Sequence, residues 1–262
     1  MSLFNSVKGL HPKKHKFNLS HDNLISHDMG VIVPCFVWND LIPGSRARVS
    51  VNQLTRMQAL IAPIMNNVDA YVQFWKIPYR ILDPSWTRFI SGELEINELT
   101  YDPPYFTYTG LSNAFSSLYS KSLQDYLFSG SLLDFLGYPM PDACGFTTAG
   151  TGTSGTKLTI RPIQSYCMIL RYWYINENII DPSIKPLIDI ITYFCPDPYD
   201  ANNLGYFEGD VSDQVAILLK YLKDLSPSQC FPHAWGKDYF TSATIPVTGA
   251  EPVRDNLTGS PT

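Results

Sequence analysis

The stretch Val68-Asp69-Ala70-Tyr71-Val72-Gln73-Phe74-Trp75-Lys76-Ile77 alternates by twos. Val68, Ala70, Val72 and Phe74 share one face, and Asp69, Tyr71, Gln73 and Trp75 share the other. That period predicts a strand with one face in a core and an aromatic, polar face suited to an interface. Pro78 stops it, because proline cannot donate to a ladder. Upstream, residues 30–38 read GVIVPCFVW, with apolar side chains on both faces. A strand of that kind must be covered on both sides, and Pro34 restricts it to an edge or a bulge. Residues 46–51 and 157–161 are further short strand candidates.

Working outward, the period changes. Residues 53–61 have a helical pattern that Pro63 ends, and Asp83-Pro84-Ser85-Trp86 opens a helical turn. Helical spacing returns at about 112–136, before Gly137 and Pro139. Ile163, Tyr166, Cys167, Leu170, Trp173 and Tyr174 repeat at i, i+3, i+4, i+7, i+10 and i+11, the clearest helix in the chain. Residues 183–194 form another apolar helix. A further one runs from Ser212, as N-cap, to about Leu225, with Val215, Leu218, Leu219 and Leu222 inward. Strands separated by long helix-bearing insertions result, and four or five strands are few for a sandwich, which normally has seven or eight.

The chain has 262 residues, 45% hydrophobic and only 16% charged, against a typical charged share of about 25%. It can bury a core, which excludes wholesale disorder. Sixteen Tyr, 14 Phe and 5 Trp, with so little charge, suit a surface buried against partners. The net charge of −5 is uneven: residues 1–20 hold four lysines and no acid, +4, and the remaining 15 basic and 24 acidic residues give −9. A basic arm, residues 1–28, on an acidic body points to a polyanion reached by Lys8, Lys13, Lys14 and Lys16, with Phe4 and Phe17 placed to stack on bases. A solubilising terminus accounts for the same lysines equally well.

Chemistry-bearing motifs are scarce. G-x-S-x-G, H-E-x-x-H, the P-loop and G-x-G-x-x-G are all missing from the sequence. His15, His21 and His27 recur every six residues without accompanying cysteines or paired carboxylates, so exposed histidines are expected rather than a metal site. Cys230 and His233 lie in a proline-containing turn without an orienting partner. Glu93, Glu95 and Glu98 could form an acid/base set of the glycosidase kind, though a solvated acidic loop explains them better. No catalytic residue, metal ligand or cofactor is assigned. The five cysteines are far apart and form no C-x-x-C, so they are read as reduced thiols. No run reaches membrane-spanning length, so no membrane insertion is expected.

Several blocks are similar to one family. Met1-Ser2-Leu3-Phe4-Asn5-Ser6-Val7-Lys8, followed by Phe17-Asn18-Leu19-Ser20-His21, resembles the opening of the major capsid protein of gokushoviruses, single-stranded DNA phages of the Microviridae. Residues 41–65, 68–82, 132–137, 161–177 and 234–243 follow in the family's order. The resemblance implies a mainly β protein: a viral jelly-roll β-barrel with long inter-strand loops, occupying 29–245, with helix-containing insertions at about 84–225 and a loop or tail at 246–262. It also implies that the barrel is incomplete in this chain, which matches the N-terminal half of family members. The implied function is a structural, non-enzymatic capsid protein. Copies form a T=1 icosahedral shell around a circular single-stranded DNA genome, in a virion assembled in the bacterial cytoplasm. Implied partners are further copies, the DNA, a small DNA-binding or internal virion protein and a host surface receptor. Trp38, Tyr71, Trp75, Trp86, Trp235 and Tyr239 are then expected as interface or core anchors. The rival readings are a β-sandwich carbohydrate-binding module or glycoside hydrolase, and a monomeric single-strand-binding protein. The second predicts a basic body, whereas this one is −9.

Overall fold

The computed structural model describes residues 15–28, 30–39, 41–62, 65, 67–83, 86–92, 102–120, 122, 123, 126, 130–140, 156–175, 184–195 and 209–224. They divide into an N-terminal segment within 15–77, whose described residues form no helix or ladder, and a helical body. The body begins with two short helices, α1 (Tyr79–Leu82) and α2 (Trp86–Ile90). Strand β1 (Tyr105–Phe106) leads into α3 (Tyr108–Tyr119), followed by α4 (Leu132–Phe135) and β2 (Leu158–Thr159). Then come α5 (Arg161–Ile169), a π-helical turn (Leu170–Tyr174), α6 (Lys185–Phe194) and α7 (Ser212–Lys223).

The mainly β, jelly-roll expectation is overturned. The sheet among the described residues has two strands, β1 and β2, paired antiparallel with Tyr105 opposite Thr159 and Phe106 opposite Leu158. Tyr105 also bridges in parallel to Asp210. Residues 31–39, 46–51 and 68–77, expected as strands, have no regular secondary structure and join no ladder among the described residues. Residues 53–61 are not helical either. Short helical patterns are marginal without tertiary packing, and Leu54 and Ile61 are exposed. The helices, in contrast, cover one another. α3 packs on α7, α7 on α6, and α6 on α5, enclosing Phe106, Tyr108, Leu111, Phe115, Ile163, Leu170, Ile191, Phe194 and Leu218.

Local chemistry explains the helix ends. Thr107 Oγ1 accepts from Gly110 N at 3.0 Å and caps α3. Gly137, with φ +78, ends the turn after α4 as its position predicts. Pro162 sits in the first turn of α5 and Pro186 in that of α6, where their missing N–H groups cost nothing. The cap expected at Ser212 falls one residue earlier, on Val211, which makes no side-chain cap bond. Ser212 is already helical, and Asp210 Oδ1 accepts from its N–H at 3.0 Å and from its hydroxyl. The Ser212 hydroxyl in turn accepts from Thr107 N at 3.1 Å, tying the starts of α3 and α7 together.

That junction depends on Gly110. A Cβ there would lie 2.7 Å from Ser212 Cβ and closer still to its hydroxyl oxygen. Gly110→Ala should gain about 1 kcal/mol of helix propensity and lose more, roughly 1–3 kcal/mol, to overpacking. The expected net result is a lower thermal midpoint by circular dichroism; a raised midpoint would contradict the tight α3–α7 approach.

Candidate assembly surface

The N-terminal segment is fastened to the body at two places, both on α5 and its π turn. At the first, Tyr166 donates its hydroxyl to the carbonyl oxygen of Ile32 at 2.9 Å, and Ile32 and Val37 pack against the core. At the second, the Trp75 ring meets the Trp173 ring at 4.6 Å, tilted 60°, and the Tyr174 hydroxyl donates to Gln73 Oε1. The π turn closes with an i→i+5 bond from Ile175 N to Leu170 O at 2.9 Å. Such a turn inserts an extra residue into the helical spacing and is often found at functional sites. Here it carries both side chains of the second fastening.

Between these fastenings the apolar side chains face outward. Leu41, Ile42, Val49, Val51, Leu54, Met57, Leu60, Ile61, Met65, Val68, Tyr71, Val72 and Phe74 are all exposed, Phe74 at 65% and Ile42 at 75%. Single exposed apolar residues are ordinary, but a concentration of them marks an interaction surface.

Immediately after Pro78 the chain is locked by a buried ion pair. Arg161 Nη2 and Asp83 Oδ2 are 3.0 Å apart, and both side chains are more than nine-tenths buried. The guanidinium lies 4.3 Å from the Trp86 ring centroid and 5.0 Å from that of Tyr79, so two aromatic faces share its charge. Its Nη1, and both amide atoms of Gln164 one turn along, are buried without a hydrogen-bond partner.

Burial also governs the thiols. It pushes Cys195 up to about 12 and Cys167 well above the ordinary thiol value, with Cys195 adding to the effect on Cys167. Cys35 is exposed. Among the described residues no group of three or more His, Cys, Asp or Glu is placed to hold a metal ion. No helix among them is long and apolar enough to cross a membrane.

Of the residues singled out from the sequence, Trp75 and Trp86 are half-buried against Trp173 and Arg161 respectively. Trp38 and Tyr71 are exposed on the N-terminal segment, as is Lys16. Lys8, Lys13, Lys14, Trp235 and Tyr239 lie outside the described residues, as do Glu93, Glu95, Glu98 and the Cys230–His233 turn. Sequence reasoning missed Arg161, Asp83 and Tyr166. The signal for Arg161 was its place in the first turn of α5, where a cation opposes the helix dipole and so needs a specific partner.

Comparison with known proteins now bears on this surface. The family model described as "Capsid protein (F protein)" of phages matches residues 5–119, which include the whole N-terminal segment and the first helices. Over this stretch the chain is similar to phage capsid proteins, the family to which the resemblance in its sequence pointed. In particular it is similar to the capsid protein VP1 of Chlamydia phage 1, with 27% identity over 193 residues, 70% of this chain. The match spans 29% of that protein's length. No solved structure matches the chain.

Two outcomes test the geometry. Asp83→Ala should leave a buried guanidinium unpaired and cost about 3–5 kcal/mol in urea unfolding, whereas the double substitution Asp83→Leu/Arg161→Met should restore much of it. Maleimide labelling of the native chain at pH 8, mapped by mass spectrometry, should modify Cys35 and spare Cys167 and Cys195. Both buried thiols are protonated there, since pH 8 is below their raised values.

Proposed function

We propose that the chain is a shell-forming part of a phage capsid, self-assembling with further copies around a single-stranded DNA genome. The carrying observation is the N-terminal segment. Its apolar side chains are presented outward, and it lies wholly inside the stretch that matches phage capsid proteins. Burying that surface against neighbours is the work a capsid subunit does.

The DNA role falls to the arm. Lys8, Lys13, Lys14 and Lys16 neutralise phosphates, and Phe17, exposed at 77%, is available to stack on a base. One arm binds weakly, but many arms on one genome act together. The body, at −9, supplies no comparable attraction. Assembly in the bacterial cytoplasm, an internal virion protein and a host receptor belong to the same reading.

Sedimentation and electron microscopy of the full chain should show closed or partial shells, or their oligomeric building blocks; a stable monomer at high concentration would sink the proposal. A peptide of residues 1–20 should bind single-stranded DNA with a log–log salt slope of about −3, from four lysines at about 0.7 each. A slope near zero would remove the arm from the DNA role.

A further inference from the structure

We infer that Cys167 and Cys195 are a redox pair within one chain, closing to a disulfide under a small-molecule disulfide such as oxidised glutathione and stapling the end of α6 to α5. The inference goes beyond the assembly reading, since it concerns a bond inside a single subunit.

The two thiols are neighbours across a helix contact. α5 and α6 pack on each other, and both cysteines are buried in the shared core. Cys195 ends α6 and is gripped at two points. Its Sγ donates to the carbonyl oxygen of Gln164 at 3.9 Å, and its own carbonyl oxygen accepts from Arg171 Nη1. Residues 164 and 171 are about two helical turns apart and so lie on one side of the helix. Cys167 lies between them on that side, about one turn from each. A helix carbonyl points along the axis toward the residue four places on. The Gln164 carbonyl therefore sets Cys195 Sγ at the level of residues 167 and 168, beside the Cys167 side chain. The thiols also sense each other: after burial, the nearby Cys195 is what raises the Cys167 thiol above its ordinary value.

Their settings give them different parts in the exchange. Cys167 is inside a helix, whereas Cys195 is the cap residue of α6, with φ −123 and ψ 66, at an end where helices fray. Burial pushes the Cys195 thiol up to about 12, but the Arg171 guanidinium pulls it the other way. Both causes acting on Cys167 raise it. Cys195 is thus the attacking thiol. Its thiolate breaks the disulfide of oxidised glutathione, forming a Cys195–glutathione mixed disulfide and releasing one glutathione thiolate. The Cys167 thiolate then attacks the Cys195 sulfur and releases the second. Two cysteines are oxidised, one glutathione disulfide is reduced, and the two protons lost by the cysteines pass to the released thiolates. The first step is slow, because Cys195 reacts only when the end of α6 opens. Reducing surroundings keep the pair as thiols, and oxidising ones close it. Once closed, the bond restricts the unfolded chain between residues 167 and 195 and so stabilises the helical body.

The test uses the full chain with Cys35, Cys144 and Cys230 replaced by Ser, incubated at pH 8 with reduced or oxidised glutathione and no denaturant. Peptide mapping should find Cys167 joined to Cys195 in the oxidised sample. Its thermal midpoint should exceed that of the reduced sample by roughly 5–10 °C. In the same background Cys167→Ala should stop at a glutathione adduct on Cys195, and Cys195→Ala should leave Cys167 unmodified. No joined peptide in a chain that keeps its helical circular dichroism, or a joined chain with a lowered midpoint, would overturn the pair. An adduct on Cys167 equal to that on Cys195 would overturn the order of attack. The mapping is repeated on the unaltered chain, where Cys167–Cys195 should again be the dominant intrachain link; any other dominant link counts against the pair.

Discussion

An extended segment whose side chains alternate by twos cannot satisfy itself. Its backbone groups need a neighbour along each edge and its apolar face needs a cover. An amphipathic helix has the easier task, because its backbone bonds are internal and only one stripe needs burial. Both periods occur in this chain, and the structure separates them. α3, α5, α6 and α7 bury their stripes against one another, while Leu41, Leu54, Ile61, Val72 and Phe74 keep their apolar side chains outward. Among the described residues the helical body thus closes largely on itself, with Ile32 and Val37 of the N-terminal segment packed against it.

The helices were legible because each carried a long signal. Ile163, Tyr166, Cys167 and Leu170 are buried as their spacing predicts, with Trp173 and Tyr174 at the edge. Val215, Leu218 and Leu219 face inward on α7. The β fold was not legible, because alternation reports what a segment needs and not who supplies it. Residues 68–77 have the alternation expected of a strand, but a strand is defined by its neighbour. The pattern at 53–61 failed for a related reason: it has helical spacing but nothing to pack on, so propensity alone decided nothing. The expected anchors divide likewise. Aromatic type marked Trp75 and Trp86 as contact makers but could not foretell Trp173 or Arg161 as the contacts. Those are set by the π turn and by a buried charge.

The buried charge sits where the two parts of the chain meet. Pro78 separates Trp75, packed on Trp173, from Tyr79 and Asp83, gathered around Arg161. Desolvating an ion pair offsets much of its attraction, so Arg161–Asp83 adds little net stability compared with an apolar pair of the same size. Its effect is directional. A guanidinium held between two ring faces and a carboxylate admits few orientations, so it fixes where α1 and α2 leave α5.

Those fastenings bear on how the N-terminal segment meets a partner. Ordering a free peptide on binding costs about 0.5–1.5 kcal/mol per immobilised rotamer-rich side chain, besides its backbone entropy. Residues 73–77 are ordered already, on one side by Trp173 and Tyr174 and on the other by Pro78 and the Arg161 cluster. Any neighbour docking there would meet side chains that the body already holds, with less freedom left to lose. Residues 41–65, further from either fastening, have no such preparation, and their exposed Leu54, Ile61 and Met65 must be ordered by whatever covers them.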